Sequence, residues 1–295
     1  MIYIPAKTIV YRDAKGSSWF GGDYKMNIYR GCNHGCIYCD SRSDCYQNPD
    51  FGTIKVKENA LAIIRNDLSR KTKTGVIMTG AASDPYNPLE KDLGLSRRAL
   101  ELIRSHGFGI GIATKSPLVT RDIDILRDIQ EFAPVIIKIT VTCADDALSQ
   151  KLEPNTPPSS ARFAALKDLA DNGIFAGVLL MPVLPFITDT TENILGIVAQ
   201  AKASGVRFIY PGMGVTIRTG QREYMYRCFD TTFPGMKEKY IQTFGNTYSC
   251  GTPAYHQIWP QFKSACNQAG ILYTMETIIK SYKTVYGDEQ LTLFE

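Results

Sequence analysis

Short apolar runs alternate with longer amphipathic stretches along most of the chain. The runs are rich in β-branched and aromatic residues, which favours strands, whereas the stretches between them repeat apolar residues at helical spacing. The predicted strands are residues 24–29, 75–79, 108–114, 135–142, 174–181 and 206–210. The predicted helices between them are residues 57–69, 95–106, 121–131, 159–172 and 190–204. Because each connection is long enough to contain a helix, consecutive strands are expected to run parallel.

This repeated strand and helix unit predicts the fold class and the division of the chain. Six units in series without a doubly wound reversal predict an α/β barrel, complete or partial, with its active site at the carboxyl ends of the strands. We assign residues 1–220 to the barrel with its N-terminal segment, and residues 221–287 to a helical C-terminal extension packed on the barrel. Helical patterns near 234–244 and 254–269 support the extension, and residues 288–295 remain as a tail.

The composition is that of an ordinary globular protein. With 295 residues, 44% hydrophobic and 21% charged, the chain is neither fibrous nor disordered, and its net charge of +4 identifies no partner. Only three histidines are present, so there are few residues from which a serine hydrolase triad or a multi-histidine metal site could be formed. No run approaches 18 consecutive apolar residues and no signal-peptide pattern begins the sequence. We therefore expect a cytoplasmic protein without a membrane span.

Cysteines form the main chemical feature of the sequence. Three of the eight, Cys32, Cys36 and Cys39, follow the first predicted strand with the spacing C-x3-C-x2-C. Three thiolates leave one coordination position of a metal site open. A structural zinc site needs four protein ligands, for which His34 or Cys45 could supply the fourth. The alternative is a [4Fe–4S] cluster in which one iron stays free to bind an exogenous ligand.

The cysteine motif, with an aromatic residue before its last cysteine, resembles the signature of radical SAM enzymes. Further motifs are similar to the spore photoproduct lyase-like branch, also called DNA repair photolyases, and they make the resemblance essentially full length. These motifs are residues 29–39, 83–86, 114–116, 152–154 and 182–185. The resemblance implies a partial (β/α)6 barrel of the radical SAM type with a helical C-terminal extension.

The same resemblance implies the cofactors and the reaction. Cys32, Cys36 and Cys39 would ligate a [4Fe–4S] cluster that receives its electron from an external reductant such as flavodoxin or ferredoxin. The enzyme would cleave S-adenosyl-L-methionine to methionine and a 5′-deoxyadenosyl radical that abstracts a hydrogen atom from DNA or a nucleotide lesion. The alternatives are radical modification of a peptide or small molecule, or a cluster- or zinc-binding protein without turnover.

By resemblance, four strand ends contact S-adenosyl-L-methionine. Tyr38 would lie near the adenine, Ser83 and Asp84 near the methionyl amine, Lys115 at the carboxylate, and Thr140 would make a hydroxyl contact. Three of these residues also have a structural interpretation. Asp84 precedes a proline and could form a helix cap or turn, Lys115 could be a charged surface residue, and Thr140 could be a buried residue of its strand.

One position departs from the family pattern. Spore photoproduct lyases carry a hydrogen-donating cysteine on the second strand end, just before the Thr-Ser-Asp equivalent (residues 82–84 here), and this chain has Ala81 at that position. Cys143 follows the fourth strand and is our candidate hydrogen-atom donor, with Cys45 as a second candidate. A lone cysteine is otherwise a small buried apolar residue.

Two segments suggest partners. Residues just past the sixth unit are candidate phosphate and base contacts, although a solvated helix start explains them as well; they are Arg218, Arg222, Tyr224 and Tyr226. The tail resembles the peptide by which bacterial repair proteins bind the sliding clamp, with possible anchors at Gln290, Leu291, Leu293 and Phe294. The alternative is that these apolar residues pack on their own barrel.

Overall fold

The structure is a computed structural model, and it describes residues 1–13 and 19–286. A seven-stranded sheet lies at its centre in the order β10-β9-β8-β7-β6-β3-β2. Its strands are β2 (Val10–Arg12), β3 (Tyr24–Met26), β6 (Val76–Thr79), β7 (Gly109–Thr114), β8 (Val135–Thr140), β9 (Ala176–Leu180) and β10 (Phe208–Pro211). The remaining strands are β1 (Ile2–Ile4), β4 (Tyr29–Arg30), β5 (Lys55–Lys57), β11 (Gly214–Thr216) and β12 (Ser249–Gly251).

Helices connect the central strands and form most of the C-terminal part. They are α1 (Ala60–Ser69), α2 (Glu90–Leu93), α3 (Leu95–Ser105), α4 (Ile123–Gln130), α5 (Asp146–Leu152), α6 (Ser159–Asp171), α7 (Thr191–Ala203), α8 (Gln221–Thr232), α9 (Met236–Phe244), α10 (Tyr255–Ala269) and α11 (Met275–Lys283). Within the described ranges, none of these helices is both long enough and apolar enough to span a bilayer.

The central sheet confirms the predicted α/β class. Strands β3, β6, β7, β8, β9 and β10 pair in parallel, and they correspond to the six predicted strands. Strand β2 adds to the edge in the antiparallel direction. In the described chain the pairing order is linear, from β10 at one end to β2 at the other.

Strand β8 shows why the central strands lack the alternation of polar and apolar residues that a half-exposed strand has. All six of its residues are buried. Val135, Ile137 and Ile139 pack in the main core with the surrounding helices. On the opposite face, Ile136 joins a second apolar cluster, and Lys138 and Thr140 line a cavity. Both faces of a parallel sheet are covered, so alternation of polar and apolar residues disappears.

Several elements were absent from the sequence prediction. The first predicted strand is interrupted after Met26, and its end forms β4 in a separate sheet with the order β1-β5-β4. The region after residue 220 contains α8, α9, α10 and α11, but also β12, which pairs with β11. Helix α10 packs on α7 of the sheet layer. The predicted clamp peptide, with Gln290, Leu291, Leu293 and Phe294, lies outside the described residues.

Candidate active site

One cavity of about 450 Å³ opens at the carboxyl ends of the parallel strands. All three cysteines of the motif line it. They are joined by five residues predicted to contact the cofactor or to replace a family residue, namely Ala81, Ser83, Asp84, Lys115 and Thr140. Residues separated by more than 100 positions thus meet at one place, as expected for strand ends of a parallel sheet.

The cysteine loop, residues 31–39, follows β4 and is held by backbone contacts. Gly31 has a φ of 84°, and a Cβ there would lie 2.2 Å from the carbonyl oxygen of Thr53, so glycine is required. The amide of Cys32 donates to the carbonyl of Phe51 at 2.8 Å. The amide of Ile37 donates to the carbonyl of Leu152 at 3.0 Å, which ties the loop to the C-terminal end of α5.

A buried ion pair lies behind the cysteine loop. Arg162 of α6 and Glu153 are both fully buried, and their charged groups are 2.5 Å apart. The guanidinium also donates to the carbonyls of Thr140 (3.0 Å) and Pro157 (2.8 Å). The hydroxyl of Tyr38 donates to Glu153, so the pair bonds directly to the cysteine loop. Burial opposes ionisation of Glu153, yet the charge of Arg162 holds the pKa of this carboxyl below its usual value.

The three cysteines of the loop provide a set of thiol ligands. All three are free thiols, and burial raises the pKa of each, for Cys32 to about 11. In the described chain, no three His, Cys, Asp or Glu side chains are grouped to hold one metal ion. An iron–sulfur cluster binds each cysteine at a different iron, and three cysteines are the ligands that a cluster with one free iron needs. The donor set of the loop therefore fits such a cluster, and its binding here stays a prediction.

Ser83 and Asp84 form hydrogen bonds within the protein. The Ser83 hydroxyl donates to the carbonyl of Gly31 at 2.8 Å. Asp84 accepts from the hydroxyl of Thr114 at 2.7 Å and from the amide of Lys115 at 2.8 Å, and it lies 3.5 Å from His34 Nδ1. Asp84 therefore joins the second and third strand ends to the cysteine loop. Asp84 also accepts from the amide of Tyr86 at 2.8 Å, which matches its turn interpretation, and its contact to a methionyl amine stays a prediction.

Lys115 and Thr140 stand at the next two strand ends. The ammonium of Lys115 lies 5.8 Å from the ring centroid of Tyr38. Burial opposes its charge, but the facing Cys36 and Glu153 raise the pKa of Lys115 above its usual value. Lys115 is thus a cation held at the cavity next to the cysteine loop. Thr140 also lines this cavity, and its carbonyl accepts from the buried guanidinium behind it. The contact of Lys115 to the methionyl carboxylate and the contact of the Thr140 hydroxyl to S-adenosyl-L-methionine stay predictions.

Tyr38, within the cysteine loop, and Cys143, after β8, were both predicted to act at the site. Neither is among the residues that line the cavity in the described ranges. Tyr38 directs its hydroxyl to Glu153, and Cys143 is fully buried in an apolar cluster with Cys36. Burial raises the pKa of Cys143 to about 12. The structure does not bring Cys143 to the cavity, and its role as hydrogen donor stays a prediction without geometric support.

Cys45 is exposed on the outer side of the cysteine loop. Its sulfur lies 3.4 Å from Ser43 Oγ and 3.2 Å from Arg218 Nη1. These hydrogen bonds, the one with Ser43 first, lower the pKa of Cys45. Ala81 does line the cavity, so the position of the family cysteine faces the site in this chain too.

The basic and aromatic residues after the sixth unit lie on a separate surface. Arg218 bonds to Tyr248 Oη at 2.8 Å and to Asp40 at 3.1 Å. Arg222 donates to the carbonyl of Thr247 at 2.8 Å. In the part of the chain that the structure describes, the candidates Arg218, Arg222, Tyr224 and Tyr226 are absent from the cavity lining. The side chains of Arg218 and Arg222 bond within the protein, and their contact to phosphates or bases stays a prediction.

The sequence prediction missed three groups at this site. The first is the pair of Glu153 and Arg162; Glu153 lies in the motif 152–154, but no role was predicted for it. The second is Lys138, a lysine inside the apolar run 135–142. Aromatic side chains also form part of the cavity wall, and no sequence pattern joined them; they are Tyr11, Trp19, Tyr46 and Phe51.

Comparison with known proteins agrees with this geometry. An uncharacterized protein of Mycobacterium bovis is 29% identical over 231 residues, 75% of this chain and 67% of that protein. An uncharacterized protein of Methanocaldococcus jannaschii is 35% identical over 179 residues, 60% and 66% of the two chains. The solved structure of spore photoproduct lyase complexed with dinucleoside spore photoproduct has a TM-score of 0.67 at 14% identity, covering 92% of this chain and 82% of that one.

A second solved structure has a weaker likeness. A radical S-adenosylmethionine methyltransferase of Kitasatospora setae gives a TM-score of 0.53 at 11% identity, covering 82% of this chain and 51% of that chain. At these identities the two structures establish the fold alone. The model of the radical SAM superfamily matches residues 26–213, which is more than half of the sequence and includes the cysteine loop. The chain belongs to the radical SAM superfamily.

Proposed function

We propose that this protein is a radical SAM enzyme that holds a [4Fe–4S] cluster on Cys32, Cys36 and Cys39 and acts on a nucleotide or DNA substrate. One observation carries the proposal. The three thiols and the cation Lys115 line the same cavity at the strand ends of a radical SAM fold. When bound, the cluster and S-adenosyl-L-methionine would supply an electron and a 5′-deoxyadenosyl radical for hydrogen abstraction.

The residues of this chain would bind and orient these groups. Lys115 would pair with the methionyl carboxylate, since its ammonium is already held at the cavity beside Tyr38. Gly80 has a φ of 94° and brings the second strand end close to β7, where backbone can approach a ligand. The buried pair of Glu153 and Arg162 would keep the cysteine loop in place through Tyr38. Tertiary contacts thus prepare the site before a ligand binds.

Two observations support a nucleotide substrate. Four aromatic side chains stand in the cavity wall, and aromatic rings stack on bases of any sequence. The solved spore photoproduct lyase is a complex with a dinucleoside photoproduct, and its fold matches over 92% of this chain. Because Ala81 replaces the family cysteine, we propose a different route for returning the hydrogen atom rather than the identical lyase reaction.

Anaerobic reconstitution tests the enzyme proposal. The protein is loaded with iron and sulfide, reduced with dithionite and given S-adenosyl-L-methionine, and 5′-deoxyadenosine is quantified by chromatography. We expect cluster absorbance and 5′-deoxyadenosine. An intact cluster that yields none would refute the proposal. Binding of oligonucleotides at several salt concentrations tests the substrate, and no affinity even at low ionic strength would exclude DNA.

Two protein partners are also proposed. A flavodoxin or ferredoxin would supply the electron in place of dithionite. The sequence at Gln290, Leu291, Leu293 and Phe294 would bind a sliding clamp, with an affinity near micromolar, about −8 kcal/mol. Deleting residues 289–295 should remove co-migration with the clamp and leave thermal stability and S-adenosyl-L-methionine cleavage unchanged. A loss of stability by several kcal/mol would instead place the tail in the core.

A further inference from the structure

Lys138 is a buried lysine that is not among the residues proposed to contact the cofactors. It lies in the middle of β8, is 1% exposed and lines the cavity. Across the sheet its neighbours are small, because it pairs with Ala113 on β7 and Gly177 on β9. Its side chain therefore occupies the cavity side of the sheet, two residues below Thr140 along the strand.

Among residues 1–13 and 19–286, no charged group neutralises the ammonium of Lys138. Its ammonium lies 3.6 Å from the sulfur of Met78 and 4.9 Å from the ring centroid of Phe20, and a thioether is only a weak acceptor. Burial alone lowers its pKa to about 7, with no charged neighbour contributing. The titratable groups that line the same cavity in the described chain are Tyr11, Lys25, Cys32, His34, Cys36, Cys39, Tyr46, Asp84 and Lys115.

None of these groups compensates Lys138. Asp84 is the carboxylate of the described cavity lining, and its two oxygens accept from Thr114 and Lys115. The other lysine away from the cysteine loop, Lys25, is paired with Asp13 at 2.9 Å. An uncompensated buried amine is costly, and an apolar residue of similar volume would fit the same place with more stability. Lys138 is therefore difficult to explain by folding stability.

We propose that Lys138 recognises a negatively charged oxygen group of the substrate in this cavity, which under the proposed function is a nucleotide phosphate. The identity of the anion rests on that proposed function. Without a bound anion, the side-chain amine of Lys138 is largely uncharged above neutral pH. An entering anion stabilises the ammonium form, so Lys138 takes up a proton as the substrate binds, and the low-dielectric surroundings strengthen the ion pair.

The test compares two dinucleotides of the same shape. Thymidylyl-thymidine carries one phosphate charge, and its methylphosphonate analogue carries none. Both are titrated by anaerobic calorimetry into the cluster-loaded protein at pH 8, in two buffers of different ionisation enthalpy. We expect the wild type to bind the charged dinucleotide at least about tenfold more tightly than the neutral one, with uptake of nearly one proton. Lys138→Met should bind both equally and take up none.

Two controls keep the outcome specific. Lys138→Met should melt at or above the wild-type temperature, which shows that the variant is folded. Lys25→Met removes another lysine from the cavity wall, and it should keep the preference for the charged dinucleotide. Equal binding of the two dinucleotides by the wild type, no binding of either, or a preference that survives in Lys138→Met would overturn the inference. Formation of 5′-deoxyadenosine by the wild type tests the proposed function separately.

Discussion

Breaking the buried ion pair of Arg162 and Glu153 by removing one partner should destabilise the folded protein strongly. In Arg162→Met the carboxylate of Glu153 stays fully buried without its cation. Removing one partner of such a pair costs about 3–5 kcal/mol. The carbonyls of Thr140 and Pro157 also lose their donor, which places the expected loss at the upper end of this range. Against a typical domain stability of about 5–15 kcal/mol, the variant should be marginally stable.

Urea denaturation of the anaerobic protein, followed by circular dichroism, measures this loss. Glu153→Gln and the double variant Glu153→Gln/Arg162→Met complete a double-mutant cycle. The double variant contains no unpaired buried charge, so it should be more stable than the sum of the single losses predicts, by about 2 kcal/mol. Lys167→Met is the matched control, because Lys167 lies on the same helix in an exposed pair with Asp171. It should change the stability little.

The same variants should affect the candidate site. Glu153 accepts from Tyr38 of the cysteine loop, so loss of Arg162 should also lower the retention of iron after reconstitution. The reasoning is refuted if Arg162→Met loses less than about 1 kcal/mol, or if the two single losses simply add in the double variant.

Three further predictions concern single substitutions. At pH 7, Lys138→Met should be more stable than the wild type, because Lys138 has a pKa of about 7 in the folded protein and binds a proton on unfolding. The gap in unfolding free energy should shrink by about 1.4 kcal/mol per unit as the pH rises to 9, and a constant gap would show a charged lysine in the folded state. Cys36→Ala should abolish cluster absorbance, whereas Cys266→Ala should keep it and lose about 1 kcal/mol of packing; cluster loss in both would contradict the assignment. Gly80→Ala should lose about 2 kcal/mol or more in urea denaturation, because its Cβ would meet the carbonyl oxygen of Ala113 at 1.8 Å, and unchanged stability would refute this.

The pattern of the sequence was sufficient for the order and type of the main elements. The central strands are short, mostly apolar runs, as in Ala176–Leu180, and the connecting helices carry apolar residues at helical spacing, as in Leu95–Ser105. Both patterns are formed by residues close together in the sequence, so they can be recognised without knowledge of the fold. The spacing of Cys32, Cys36 and Cys39 likewise lies within one loop, and their common cavity was predictable for that reason.

Tertiary structure decided which side chains share an environment. Lys138 and Phe20 come from distant parts of the chain, and only the sheet places an uncompensated amine against the ring and the cavity. Cys143 follows the predicted strand as expected, yet the direction of its side chain takes it into an apolar cluster behind the loop. Burial and charge pairing depend on contacts between elements that local periodicity does not encode. The sequence therefore determined where the cysteine loop stands, and the packing of the elements determined which polar groups face the cavity.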